Sequence, residues 1–178
     1  MSVALCVTQK VAIGTAVTAP ILRYHPAIVA QAFATMESIF GPRVVLGIGI
    51  GEALNEVPLG LTWPNPKERR ERLVEAIKVI RLLWSGEYVN FQGKFYALRN
   101  ACLYMKASVT ICVASFGPKS AYIAGKLGDG LITTIKPLEY IKSTLFPALS
   151  KGAKESGRSV DDLVKVIELD VSYDEDYD

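Results

Sequence analysis

The stretch richest in chemistry is Leu46-Gly47-Ile48-Gly49-Ile50-Gly51-Glu52-Ala53-Leu54-Asn55-Glu56. Glycines at the carboxyl end of a strand let backbone approach a ligand closely. The spacing is not the dinucleotide fingerprint, because G-x-G-x-x-G requires a glycine where Glu52 stands. On spacing alone the run fits either a ligand loop or a tight strand-to-loop turn. Glu52 follows the glycines directly and is suited to giving or taking a proton. Its plainer role is to cap backbone amides.

Three further positions carry possible chemistry. Ser115-Phe116-Gly117-Pro118 ends an apolar run and begins a helical one, and amides at a helix start attract phosphate. An ordinary strand-to-helix turn has the same composition. Lys136 follows the run Leu131 to Thr134 and could hold an anionic ligand, although a loop lysine is commonly just solvated. His25 precedes Pro26 and reads as a helix-start residue rather than a catalyst. It is the only histidine, and no Cys/His cluster surrounds it, which argues against a metal site. Cys6, Cys102 and Cys112 form no C-x-x-C pair, so they read as reduced thiols of a cytoplasmic protein.

These positions need a scaffold, and the sequence alternates β-rich runs with helical ones. Val11 to Val17 reads as a short strand. Pro26 to about Ile39 reads as a helix that is apolar on most sides and so deeply packed. Val44 to Ile48 is apolar without alternation, as in a parallel strand covered on both faces. Asn55 to Pro64 reads as loop. Asn65, Pro66 and Glu68 open a helix whose stripe is Leu73, Ile77, Ile80, Leu83 and Trp84, with Glu68 and Arg72 paired on its wet face. Gly86 ends it. A hairpin follows, Tyr88 to Phe91 and Lys94 to Leu98 around Gln92-Gly93. Strands are expected at Val109 to Ala114, Leu131 to Thr134 and Val164 to Tyr173. Helices are expected from Pro118 to about Leu127 and from about Pro137 to Ser156. The tail Asp174 to Asp178 is acidic and expected to be exposed. Repeated β-α-β units imply parallel strands with right-handed crossovers, in a doubly wound sheet or part of a (β/α)8 barrel.

Bulk composition narrows the class. Half of the 178 residues are apolar, which excludes a disordered segment. No apolar run is long enough to span a membrane, and the start Met1-Ser2-Val3 lacks the basic residues of a signal peptide. Twenty basic residues against 18 acidic ones give a net charge of +2, which argues for neither a nucleic-acid nor a membrane partner.

At Gly49-Ile50-Gly51-Glu52-Ala53-Leu54-Asn55-Glu56 the sequence resembles the luciferase-like superfamily. It is most similar there to the coenzyme F420-dependent dehydrogenases of the glucose-6-phosphate type. The segments Arg23-Tyr24-His25-Pro26-Ala27, Leu82-Leu83-Trp84-Ser85-Gly86, Phe91-Gln92-Gly93-Lys94-Phe95-Tyr96 and Ala121 to Gly130 agree in order and spacing, so the resemblance covers nearly the whole chain. It implies an α/β fold: a partial (β/α)8 TIM barrel of luciferase-like type with a β-hairpin insertion, residues 1–178 forming one domain. By this resemblance the first two strands, with the usual catalytic histidine and tryptophan, and the C-terminal part of the barrel lie outside the chain. A complementing chain or a second copy in a homo-oligomer would then cover the open edges.

The resemblance also implies site roles. Ala16-Val17 corresponds to a bulge, often a non-proline cis peptide, behind the deazaflavin ring. Gly49, Ile50, Gly51 and Asn55 line the cofactor, and Glu52 is the active-site carboxylate. Ala114, Ser115, Phe116 and Gly117 contact the cofactor's phosphate tail. Lys136 corresponds to a lysine that binds substrate phosphate. The implied activity is hydride transfer between coenzyme F420 and a small-molecule substrate, an alcohol or sugar phosphate, which is the expected partner. The alternatives are an FMN-dependent luciferase-like monooxygenase and an inactive barrel fragment serving binding or association. Two departures stand out: Ile50 replaces the relatives' threonine, and Phe116 replaces a glycine of the phosphate turn. Met105 to Ser108 is also a shortened connection.

Overall fold

A computed structural model describes residues 1–173; the expected acidic tail, 174–178, lies outside the described residues. The elements in chain order are α1 (Ser2–Val7), β1 (Ile13–Gly14), α2 (Pro26–Phe40), β2 (Val44–Ile48), α3 (Ala53–Glu56), a 3-10 turn (Val57–Leu59) and α4 (Pro66–Leu83). They continue with β3 (Val89–Gln92), β4 (Ala97–Ala101), β5 (Thr110–Ala114), α5 (Pro118–Leu127) and β6 (Gly130–Thr134). The last are α6 (Leu138–Tyr140), a π turn (Ile141–Leu145), α7 (Phe146–Glu155) and β7 (Val164–Glu168).

Five strands form one parallel sheet in the order β1-β2-β5-β6-β7, and β3 and β4 form a separate antiparallel hairpin. This is the curled sheet of a partial (β/α)8 barrel with a hairpin insertion, as expected. Because every pair is parallel, the carboxyl ends of all five strands share one rim. Leu46, Ile48, Ile111, Val113 and Leu131 are buried in the sheet. Leu73, Ala76, Ile77, Ile80 and Leu83 of α4 pack against the core in the same cluster. The Trp84 indole donates to the Ala30 carbonyl at 2.9 Å and locks the end of α4 to α2.

Helix starts follow their caps. Asn65 Oδ1 accepts from the amides of Lys67 and Glu68, both at 3.0 Å. His25 Nδ1 accepts from the Ala27 amide at 3.1 Å, so the imidazole caps α2 in its neutral form. Partial burial lowers its pKa and agrees with that state.

Several expectations need correction. The run Val11 to Val17 pairs only at Ile13–Gly14, because the Gly47 carbonyl is taken by the Thr15 hydroxyl (2.9 Å) and the Thr18 amide (2.8 Å). The loop 55–64 begins inside α3 and includes the 3-10 turn. Helix α1 is an element that the sequence pattern does not predict. Helix α2 buries Val29, Ala30, Phe33 and Ala34 but leaves Ile28 and Ile39 exposed, so it is packed on one face rather than most. Glu68 and Arg72 are paired at 2.8 Å but half-buried, since Arg72 stacks on the Phe95 ring at 4.4 Å.

The second hairpin strand is Ala97–Ala101, later than expected. The Glu75 carboxylate accepts the amides of Lys94, Phe95 and Tyr96 at 2.9, 2.9 and 3.3 Å, which spends those residues on the turn. The segment 137–156 is helical but contains a π turn just before Pro147. Proline lacks the N–H that the regular ladder would use and crowds the preceding turn, conditions that favour such a bulge. Strand β7 stops at Glu168, opposite Thr134, where β6 ends and no further partner is offered.

Candidate active site

Strand ends build the site. After β1 the chain turns through Thr15 to Thr18, and the Ala16–Val17 peptide is cis. Thr18 then bridges back to Ile48, and its carbonyl accepts the Gly49 amide at 2.9 Å. Gly47 makes this crossing possible: a Cβ there would lie 1.8 Å from the Thr15 carbonyl oxygen. Gly49 faces Val17 and Ala114 similarly closely, at 2.8 and 3.2 Å from where its Cβ would be. Absence of side chains thus brings the β1, β2 and β5 ends together.

Above these ends lies a cavity of about 800 Å³. Ala16, Val17, Gly49, Ile50, Gly51, Glu52, Asn55, Ala114 and Phe116 line it. Nine residues expected to share one pocket therefore do so. The Glu52 carboxylate stands at the start of α3 without making a capping hydrogen bond, and the residue is exposed. Its plainer capping role is not the one it fills.

The rest of the expected set sits differently. Ser115 is buried, with its hydroxyl donating to the Val113 carbonyl at 2.9 Å and its amide to Ile132 at 2.8 Å. Both groups are spent on the strand end, so Ser115 faces away from the cavity. Gly117 precedes α5 in an extended conformation outside the lining, with nothing within 4 Å of where a Cβ would lie. Lys136 is also outside the lining, but its Nζ lies 5.6 Å from the Phe116 ring centroid. Tyr140 fixes the same turn by donating to the Phe116 carbonyl at 3.1 Å.

Sequence reasoning missed Arg23, Glu56, Thr133 and Glu168, which also line the cavity. Glu56 is wholly buried and paired with Arg23, whose Nη2 lies 2.8 Å from its Oε1. Thr133 is one of two threonines that end an otherwise apolar strand, the one hint available beforehand. It is 2 % exposed, and its Oγ1 has no hydrogen-bond partner among the described residues. A buried hydroxyl without a partner is costly, so this atom suits a polar ligand atom arriving in the cavity.

The thiols carry no chemistry here. Burial pushes the Cys112 thiol up to about 11, which keeps it protonated and inert, and the free Cys6 and Cys102 lie outside the cavity lining. Among the described residues, no three His, Cys, Asp or Glu side chains are grouped to hold a metal, and no helix is long and apolar enough to cross a membrane.

This architecture has close counterparts. The chain is 46 % identical over 172 residues to an F420-dependent glucose-6-phosphate dehydrogenase of Nakamurella multipartita, covering 95 % of this chain and 51 % of that protein. It is 48 % identical over 173 residues to the protein of the same name from Beutenbergia cavernae, covering 96 % and 52 %. The chain thus spans about half the length of these curated relatives. Among solved structures, an F420-dependent secondary alcohol dehydrogenase in complex with an F420-acetone adduct superposes with a TM-score of 0.90 at 40 % identity, over 94 % of this chain and 52 % of the other. A coenzyme F420-dependent tetrahydromethanopterin reductase from Methanopyrus kandleri gives 0.83 at 25 % identity, over 93 % and 52 %. The family model for luciferase-like monooxygenases matches residues 1–178, and the chain belongs to that family.

Proposed function

We propose that the cavity is the deazaflavin pocket of an F420-dependent oxidoreductase acting on an alcohol or sugar phosphate. The observation that carries the reading is the composition of the cavity at the shared strand rim. Small and apolar residues (Ala16, Val17, Gly49, Ile50, Ala114, Ile132) form walls suited to a flat ring system, while Glu52, Asn55, Arg23 and Thr133 supply polar groups around it. The names of the relatives at 40–48 % identity point the same way.

The residues present fit such a group. When bound, the deazaflavin supplies a ring carbon that accepts or returns a hydride. The apolar walls exclude water from that carbon. The Glu52 carboxylate would take the proton from a substrate hydroxyl as hydride leaves the substrate carbon that bears it. A ligand oxygen would give the buried Thr133 hydroxyl the partner that it lacks among the described residues. Lys136, held beside Phe116, attracts an anionic substrate group at the rim. Further barrel strands, from a complementing chain or a second copy, belong to the same reading, because β1 and β7 are edges of the sheet.

Titration of the purified chain with F420 and with FMN tests this. The expected result is saturable quenching of deazaflavin fluorescence with weaker or no response to FMN. Preference for FMN would move the assignment to the flavin monooxygenases. Binding of neither would leave an association module.

A further inference from the structure

Among the described residues, the wholly buried carboxylate is not the one beside the glycines. Glu56 ends α3 and is 0 % exposed, whereas Glu52, at the start of the same helix, is open to solvent. Arg23 meets Glu56 with a fork: Nε lies 3.1 and 3.3 Å from the two carboxylate oxygens, and Nη2 lies 2.8 Å from Oε1. Such two-nitrogen contacts fix orientation as well as distance.

The pair joins two different walls of the cavity. Arg23 lies on the loop after β1, which carries Ala16 and Val17. Glu56 lies on the segment after β2, which carries Gly49 to Asn55. Backbone bonds pass the restraint on: the amides of Asn55 and Glu56 donate to the Glu52 carbonyl at 3.1 and 3.3 Å. Gly51, at φ +70°, lies against the same carboxylate, since a Cβ there would be 3.5 Å from Glu56 Oε1 and 3.6 Å from the Trp63 ring. A helix of four residues has too few internal bonds to hold its own place.

We propose that Arg23 and Glu56 are positioning residues that set the separation of the two walls and hold Glu52 and Asn55 at the cavity mouth. Neither takes part in the chemistry; the pair acts through the residues it fixes. The effect on cofactor affinity rests on the deazaflavin reading above, but the positioning itself does not.

The test therefore has two readouts. Amide hydrogen exchange is measured for residues 51–57 and for β5 in the wild-type chain, in Glu56→Gln, in Arg23→Lys and in the double variant Arg23→Gln/Glu56→Gln. The double variant keeps polar side chains of comparable length and strands no buried charge. Expected is exchange faster by about tenfold or more at 51–57 in Glu56→Gln and in the double variant, with β5 unchanged and Arg23→Lys intermediate. F420 affinity should fall by about tenfold in the same order. Wild-type protection at 51–57 in the folded double variant overturns the proposal. So does failure of the double variant to fold, because the pair would then be a global stability element. If the wild-type chain binds no F420, the deazaflavin reading falls, and the exchange data still decide the role of the pair.

Discussion

The Lys136 ammonium stands 5.6 Å from the centre of the Phe116 ring, so two rim loops that are separate in sequence meet as a cation over an aromatic face. Such a contact restrains the lysine without neutralising it. Lys136→Ala is expected to raise KM for a phosphorylated substrate by about tenfold or more, since a charge-assisted contact to phosphate is lost, while kcat changes less. Phe116→Leu keeps the charge and an apolar side chain in the cavity lining while removing the ring's attraction for the ammonium, so its effect should stay within about fivefold. Steady-state kinetics with phosphorylated and unphosphorylated substrates in the complemented enzyme decide the matter. Equal losses for both substrates would remove Lys136 from phosphate recognition.

Glu52 is open to the cavity and makes no capping bond. Glu52→Gln keeps the shape and removes the proton acceptor, so turnover should fall by about tenfold or more with little change in F420 affinity. An unchanged rate would take Glu52 out of the mechanism.

Gly47 and Gly117 make a matched pair for stability. A methyl group on Gly47 would collide with the Thr15 carbonyl at 1.8 Å, and both partners are backbone-fixed. Gly47→Ala should destabilise by about 3 kcal/mol or more. Gly117→Ala meets open space in an extended conformation and should shift stability by less than about 0.5 kcal/mol. Urea denaturation of both variants checks the contrast.

His25 is the only histidine, which makes its titration separable. Burial lowers its pKa below the ordinary 6.5, so the unfolded chain binds the proton more readily than the folded one. Its contribution is therefore fully present above about pH 6.5 and is lost as pH falls through the lower folded value. His25→Asn keeps a side-chain oxygen to cap α2 but cannot titrate. Melting curves between pH 5 and 8 should show a low-pH loss in the wild type that is reduced in the variant, against the shared carboxylate background. Identical profiles would contradict this.

Much of this was legible beforehand because it is local. The Asn65 cap with Pro66, the uninterrupted apolar run of β2 and the glycines after it each declare their role within a few residues. Parallel pairing then puts separate strand ends on one rim, which is why Ala16, Gly49, Asn55 and Ala114 fall together. What stayed hidden is non-local. Glu56 draws its meaning from Arg23, 33 positions away. The short extent of β1 depends on which groups claim the Gly47 carbonyl. Ser115 looked like a ligand residue because its type and place were right, yet its hydroxyl and amide turn inward.

The hairpin lies outside the main sheet, but it is not a detachable ornament. Tyr96 sits on it, and its hydroxyl is within 3.0 and 3.1 Å of the Pro20 and Ile21 carbonyls, just upstream of Arg23. Burial pushes that phenol up to about 12, so the latch stays protonated throughout the physiological range. Trimming the insertion for a smaller scaffold would therefore slacken the doorway of the cavity from behind, even though no atom of the doorway had been touched.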